Sequence, residues 1–205
     1  MVPDVRAALS LTINRAPFFL YPQGFTASNQ IPAPWGDRLD KLYGPASRPN
    51  LQRLGRQAGI EFNFDVIGSS TFDSHRLVLW SQQTSGKGED VAAVLARFYF
   101  QEGRELADHA NLRAAAAEAG IVEGVDEFLS SDVMVDEVKA AFNRSKAAGI
   151  DSIPVFIFSA LNDTVNEVVH GSASPDQFRA TLESIAKAAA ERSAGTIADG
   201  MAAEL

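Results

Sequence analysis

The chain has 205 residues, a mass of 22.0 kDa, 46% apolar residues and a mean hydropathy of −0.05, enough for one good hydrophobic core or a small domain with a large insertion. A formal net charge of −8, with no run of Lys and Arg interleaved with aromatics, argues against a nucleic-acid partner, and no apolar stretch reaches the length that crosses a bilayer, which argues against a membrane partner. The sequence contains no cysteine and its start carries Asp4 and Arg6 rather than a secretory apolar core, so the expected compartment is the cytoplasm.

In chain order, residues 9–14 alternate apolar and polar and predict a strand that Pro17 and Pro22 end. Residues 23–46 read as a loop, with a short helix around residues 37–43. Leu51, Leu54 and Ala58 share one helical face, which Gly59 closes. Ile60, Phe62, Phe64 and Val66 alternate as an extended segment would. Helices are then expected from Thr71 through Trp80, over 87–101 with Val91, Val94, Leu95 and Phe98 inside, over 111–119, over 125–129 and over 133–148. Residues 154–158 are continuously apolar, as a strand buried on both faces would be. A turn at 161–163 leads to a second short strand over 165–169. Ser174-Pro175 opens a last helix that buries Phe178, Leu182 and Ile185 and frays after Gly195. Strands far apart in sequence must pair in space, so the helices between them form an insertion on one side of a small sheet.

Several stretches carry a family resemblance. Pro17-Phe18 with Leu20 and Pro22 resembles "PF.L.P", and Tyr43-Gly44 and Ala58-Gly59-Ile60 flank a first insertion helix. Thr71 with His75-Arg76-Leu77 resembles "NT..AHRL", with Ser70 and Ser74 in place of the usual asparagine and alanine. Residues 98–103 (FYFQEG) are similar to "F.AYF.EG", 149–158 to "GV.GVP.FVI" and 169–175 to "VSGAQSP". Together they resemble the DsbA-like branch of the thioredoxin fold, most of all its FrnE-type members, beside the 2-hydroxychromene-2-carboxylate isomerases and kappa-class glutathione transferases. The fold implied is α/β: a thioredoxin-like domain of residues 1–44 and 149–205, split by an all-helical insertion over 45–148. The family opens with a central strand, a Cys-x-x-Cys turn and a helix, whereas a βαβ unit needs about 30 residues and only residues 1–8 precede the first strand signal here. The expectation is that the first βα element is missing because the gene product is incomplete. The alternatives are that the flanking strands close up or that another chain donates a strand.

The resemblance implies that Ile153-Pro154, in cis, sets the backbone of Ile153 against an extended substrate chain. The plainer reading of Pro154 is a strand-initiating proline. Phe18, Ser70 and His75 fall on the family's substrate cleft. Read as residues alone, His75 is a general base, a polar wall or a locally bonded helix histidine, and Ser70, Thr71 and Asp73 are helix caps. Gly171 and Ser172 fall where glutathione-using relatives hold the γ-glutamyl group, but the acidic partner expected at 173 is Ala173. His109 and His170 show no metal-ligand spacing, Glu102, Glu105 and Asp108 read as a solvated acidic face, and the alanines of 113–119 as close helix packing. The first functional expectation is a thiol-disulfide oxidoreductase family member that is redox-inactive as this chain. The others are a non-catalytic protein binding a peptide or small hydrophobic molecule in a cleft walled by Pro154, Phe18 and Trp35, or a glutathione-assisted isomerase. No cofactor is expected beyond glutathione, and a homodimer is left open.

Overall fold

Apolar residues three and four apart build most of the molecule. The computed structural model describes residues 11–20, 31–160 and 164–202, and the chain divides into two units, Met1–Ser145 and Lys146–Leu205. The elements in order are β1 (Ile31–Pro34), α1 (Trp35–Tyr43), α2 (Ser47–Gln57), β2 (Ile67–Gly68), α3 (Phe72–Ser85), α4 (Gly88–Phe100), α5 (His109–Glu118), α6 (Val125–Leu129), α7 (Val135–Ala147), β3 (Val155–Ala160), β4 (Val165–His170) and α8 (Pro175–Ala202). None of the described helices is long and apolar enough to cross a membrane.

In the first unit the helical spacing places Ser74, Leu77, Val78 and Ser81 on the buried face of α3 and Val91, Leu95 and Phe98 on that of α4. Leu112, Ala115 and Ala116 of α5 are fully buried beneath them, and the small alanines let the α5 backbone come close. Trp80 stacks on Phe128 with ring centroids 4.7 Å apart, which ties α6 to this core. Each large side chain removed from water here contributes about 1.5–3 kcal/mol.

Two sequence expectations fail in this unit, both over strands. Residues 11–14 form no strand, and Leu9 and Ser10 lie outside the described residues. A strand needs a ladder partner, and side-chain bonds hold this segment instead: the Arg15 amide donates to Gln82 Oε1 at 2.7 Å, and its guanidinium pairs with Glu89 at 2.5 Å. Conversely, β1 lies where a loop was expected. It pairs antiparallel with β2 (Ile31 opposite Gly68, Pro34 opposite Ile67) through a bulge, and the pairing continues as Trp35 N–H to Val66 O and Gly36 N–H to Phe64 O, both 2.9 Å. Pro32 and Pro34 hid the signal; proline is tolerated in so short a two-stranded pair because either edge can stay open.

The second unit is a hairpin covered by a helix. β3 and β4 pair antiparallel in unbroken register from Val155 opposite His170 to Ala160 opposite Val165. Ser174 and Gln177 cap α8 reciprocally: Ser174 N–H donates to Gln177 Oε1 at 2.8 Å and Gln177 N–H to Ser174 Oγ at 3.2 Å. Phe178 then reaches Phe156 (4.6 Å) and Phe158 (5.9 Å), and Ile185 is buried a further two turns on. The strand is not buried on both faces as its apolar run predicted. Ile157 is 63% exposed and its cross-strand partner Val168 46% exposed, so α8 covers one face only. Nor does α8 end at Gly195; its backbone stays helical to Ala202. The turn expected at 161–163 lies outside the described residues.

Among the described glycines of the first unit, Gly55 marks the tightest approach. A Cβ there would lie 2.6 Å from the Phe62 ring and 2.7 Å from the Ile60 carbonyl oxygen. Helix propensity alone would make Gly55→Ala stabilising by about 1 kcal/mol; the clash with fixed backbone instead predicts a loss of about 1–3 kcal/mol. A urea midpoint that falls on substitution is the expected outcome, and one that rises contradicts this packing.

Candidate functional site

The residues expected at the site fall into two groups, one in each unit. In the first unit, two consecutive phenylalanines follow Pro17. Phe19 is 5% exposed, with its ring 4.8 Å from His75 and 5.5 Å from Phe142, edge-on to both, and 6.0 Å from Phe72, stacked. Phe18 lies 5.7 Å from Phe142. The half-buried His75 ring hydrogen-bonds the Phe18 backbone. Burial pushes the imidazole down to about 4, against the opposing pull of that bond, so the ring is neutral near pH 7. The structure thus brings Phe18 and His75 together, with Phe19 as the buried anchor between α3 and α7. Sequence reasoning missed Phe19; its signal was the doubled aromatic after a proline, and the family pattern drew attention to its neighbour.

Ser70 stands at the start of the same helix. It is buried, and its Oγ accepts the Phe72 N–H at 3.2 Å. Thr71 makes no side-chain cap; its carbonyl accepts from Ser74 Oγ at 2.8 Å. Asp73 does not cap either. Its Oδ1 takes Arg76 at 2.7 Å and its Oδ2 takes His109 Nε2 at 2.8 Å. Burial alone would raise the Asp73 carboxyl, but the His109 and Arg76 hydrogen bonds outweigh it and hold it below its ordinary value. Arg76, 4% exposed, also donates to the carbonyls of Val133 (2.9 Å), Phe128 (3.4 Å) and Ser131 and lies over the Phe128 ring. It closes the C-terminal end of α6 with a charge suited to that end of a helix. The Asp73–Arg76 spacing was legible as an i,i+3 pair, whereas the pairing with His109 depends on how α3 meets α5. On the expected acidic face Glu102 and Asp108 are exposed; Glu102 pairs there with Arg97 and Arg104, and Asp108 Oδ1 caps α5 by accepting the Ala110 N–H at 2.8 Å.

In the second unit the Ile153–Pro154 peptide bond is cis. The Pro154 carbonyl accepts the Gly171 N–H at 2.9 Å, which joins the start of β3 to the residue after β4. Ile153 is 47% exposed, and Pro154 and Ser172 are exposed beside it. Lys146 pairs with Asp151 at the foot of this loop. Ile153, Pro154, Gly171 and Ser172 therefore share one end of the hairpin: an apolar side chain in solvent, a hydroxyl and no ionised group among the four. Such an end can take up extended chain or apolar surface, and these four residues carry no nucleophile stronger than a hydroxyl.

A family model for the DSBA-like thioredoxin domain matches residues 4–183. Among solved structures, a probable DsbA oxidoreductase from Streptomyces coelicolor superposes with a TM-score of 0.63 at 23% identity, over 86% of this chain and 73% of that one. The cytosolic disulfide reductase DsbM from Pseudomonas aeruginosa gives 0.55 at 23% identity, over 74% of this chain and 77% of that one. These likenesses show a shared fold, and none of the curated proteins matches the chain.

The His75 environment sets a pH dependence. Its folded value of about 4 lies below the ordinary 6.5, so between those values the unfolded chain binds more protons. Stability from this group is full above pH 6.5 and is lost as pH falls toward 4, by about 3 kcal/mol at most. Urea midpoints of the wild type are expected to drop across this window, and His75→Gln to flatten that part of the profile. An unchanged slope in the variant contradicts the assignment.

Proposed function

The chain belongs to the DSBA-like thioredoxin domain family, and we propose that it is a FrnE-type member that binds extended polypeptide without catalysing disulfide exchange. The observation that carries this is the absence of cysteine from all 205 residues. In thiol-disulfide exchange a thiolate attacks and a thiolate leaves, and the rate depends on both sulfurs having accessible pKa values. A serine hydroxyl, as at Ser70 or Ser172, supplies neither role.

The binding half of the reading rests on the hairpin end. Ile153 holds an apolar side chain in solvent beside Pro154, and the family resemblance assigns this loop to extended substrate. In this reading residues 1–44 and 149–205 form the thioredoxin-like domain and residues 45–148 the insertion, and the family resemblance assigns substrate contacts to Phe18, Ser70 and His75 as well. A cytoplasmic setting suits a chain that needs no oxidant to fold. The glutathione-assisted isomerase is the second reading. Gly171 and Ser172 offer a backbone amide and a hydroxyl, yet residue 173 is alanine, so the cationic end of a γ-glutamyl group gains no carboxylate there, and no step is assigned to glutathione.

The purified chain is expected to show no turnover above buffer in insulin reduction or in oxidation of a dithiol peptide; measurable turnover overturns the redox-inactive reading. Adding an unfolded, thiol-alkylated protein is expected to shift the amide resonances of Ile153 and Gly171. A saturable heat with glutathione that disappears in Ser172→Ala would instead support the isomerase.

A further inference from the structure

The first two helices carry a surface that the proposed function does not use. Their inner sides are occupied: Gly36 and Gly55 are buried against Phe64 and Phe62, and Arg48 bridges the helices by pairing with Asp37 (2.5 Å) and Asp40 (2.7 Å). Their outer sides are apolar and open. Leu42 is 58%, Tyr43 75% and Leu54 46% exposed. Between the helices runs an open groove of about 460 Å³ whose lining includes Leu39, Ala46 and Leu51. Large side chains gathered this way on one helical hairpin are the kind of patch that marks a contact surface.

Charge selects the occupant. Residues 35–57 carry five basic and two acidic side chains, in a chain whose formal net charge is −8. Both acids are taken up by Arg48. α2 itself has Arg48, Arg53 and Arg56 and no acid. Glu61, just beyond α2, is likewise taken up, by Arg56 and Gln52, whereas Arg53 bonds only the neutral amides of Asn50 and Gln57 and stands in a second shallow groove of about 510 Å³ on α2. An occupant must therefore be apolar toward Leu42, Tyr43 and Leu54 and acidic toward Arg53.

We propose that the α1–α2 hairpin docks an acidic amphipathic helix of a partner protein, its apolar stripe in the groove between the helices and its carboxylates against Arg53, which reaches the groove through its bond to Asn50. At 1.5 Å per residue the 9-residue α1 and 11-residue α2 span roughly 15 Å, which matches two to three turns of such a helix and anchors spaced i, i+3 or i+4, and i+7. Two other occupants fit less well. An anionic membrane is a broad plane that meets the whole negative chain, whereas a single helix stays within a Debye length of about 8 Å of the basic hairpin. A second copy related by a twofold axis would set the patch around Arg53 against the same patch and bring together two chains of net charge −8.

The test uses the full chain and a pair of fluorescent synthetic peptides of about 15 residues, one with a leucine stripe flanked by glutamates and the other with lysines in place of the glutamates. Anisotropy titrations are expected to show the glutamate peptide binding at least about tenfold tighter than the lysine peptide, with the difference shrinking as salt rises. Arg53→Glu is expected to narrow or reverse that preference. Leu42→Gln combined with Tyr43→Ser, both at exposed positions, is expected to abolish binding while the thermal melt is retained. Equal binding of the two peptides, no binding of the glutamate peptide up to about millimolar concentration, or full binding by the Leu42→Gln, Tyr43→Ser variant overturns the proposal. A wild-type dimer in light scattering that the same variant disperses assigns the face to a second copy. Co-sedimentation with phosphatidylserine vesicles that the variant abolishes assigns it to membrane.

Discussion

The hydrogen bonding of β3 constrains everything around it. Along one edge it meets β4 residue for residue, and among the described residues it has no other neighbour. A strand with one partner satisfies half of its backbone groups and can be covered by packing on only as many faces as its surroundings supply. α8 supplies one face through Phe178, so Ile157 on the other stands in solvent despite sitting in a continuously apolar run, as does its cross-strand partner Val168. The chemistry follows the same line: the hairpin end keeps Ile153, Pro154 and Gly171 in a fixed relation, and the sequence holds no thiol for that end to present.

The helical unit reaches stability by other means, which explains how it tolerates so small a sheet. Its core is built from local i, i+3 and i+4 faces that need no strand pairing. Two polar devices then fix the loops to it. His75, kept neutral by burial, holds the Phe18 backbone while Phe19 fills the space between Phe72 and Phe142. Arg76 gathers three carbonyls around the end of α6, with Asp73 balancing its charge. Buried charges of this kind survive only when paired and fully bonded. Both devices lie where family likeness would place a substrate wall, and their present bonds are structural.

How much of this was legible in the sequence depended on the range of the interactions. Helices α3 to α7 were readable to within a few residues because their signals are local. The strand expected to run through 11–14 was not, since alternation marks what could pair and cannot say whether a partner exists. β1 was hidden by its prolines, which forbid interior strands and permit short paired edges. The apolar run over 154–158 was read as doubly buried because periodicity alone cannot report which face a neighbour covers. Family likeness pointed to Phe18, His75, Pro154 and Gly171, and the structure shows that Phe18 bonds His75 and Pro154 bonds Gly171. The Asp73–His109 pair and the aromatic cluster of Trp35, Phe62, Phe64, Tyr99 and Phe100 depend on helices meeting across the core, which no linear pattern encodes.

Amide hydrogen exchange along β3 tests the one-sided strand most directly. Because Gly171 N–H bonds Pro154 O, the antiparallel alternation puts the amides of Phe156, Phe158 and Ala160 toward β4 and those of Val155, Ile157 and Ser159 toward the outer edge. The account predicts slow exchange at the first three and fast exchange at the second three. Equal protection at all six would mean that another strand lies along the outer edge, and the sheet would have to be redrawn as complete.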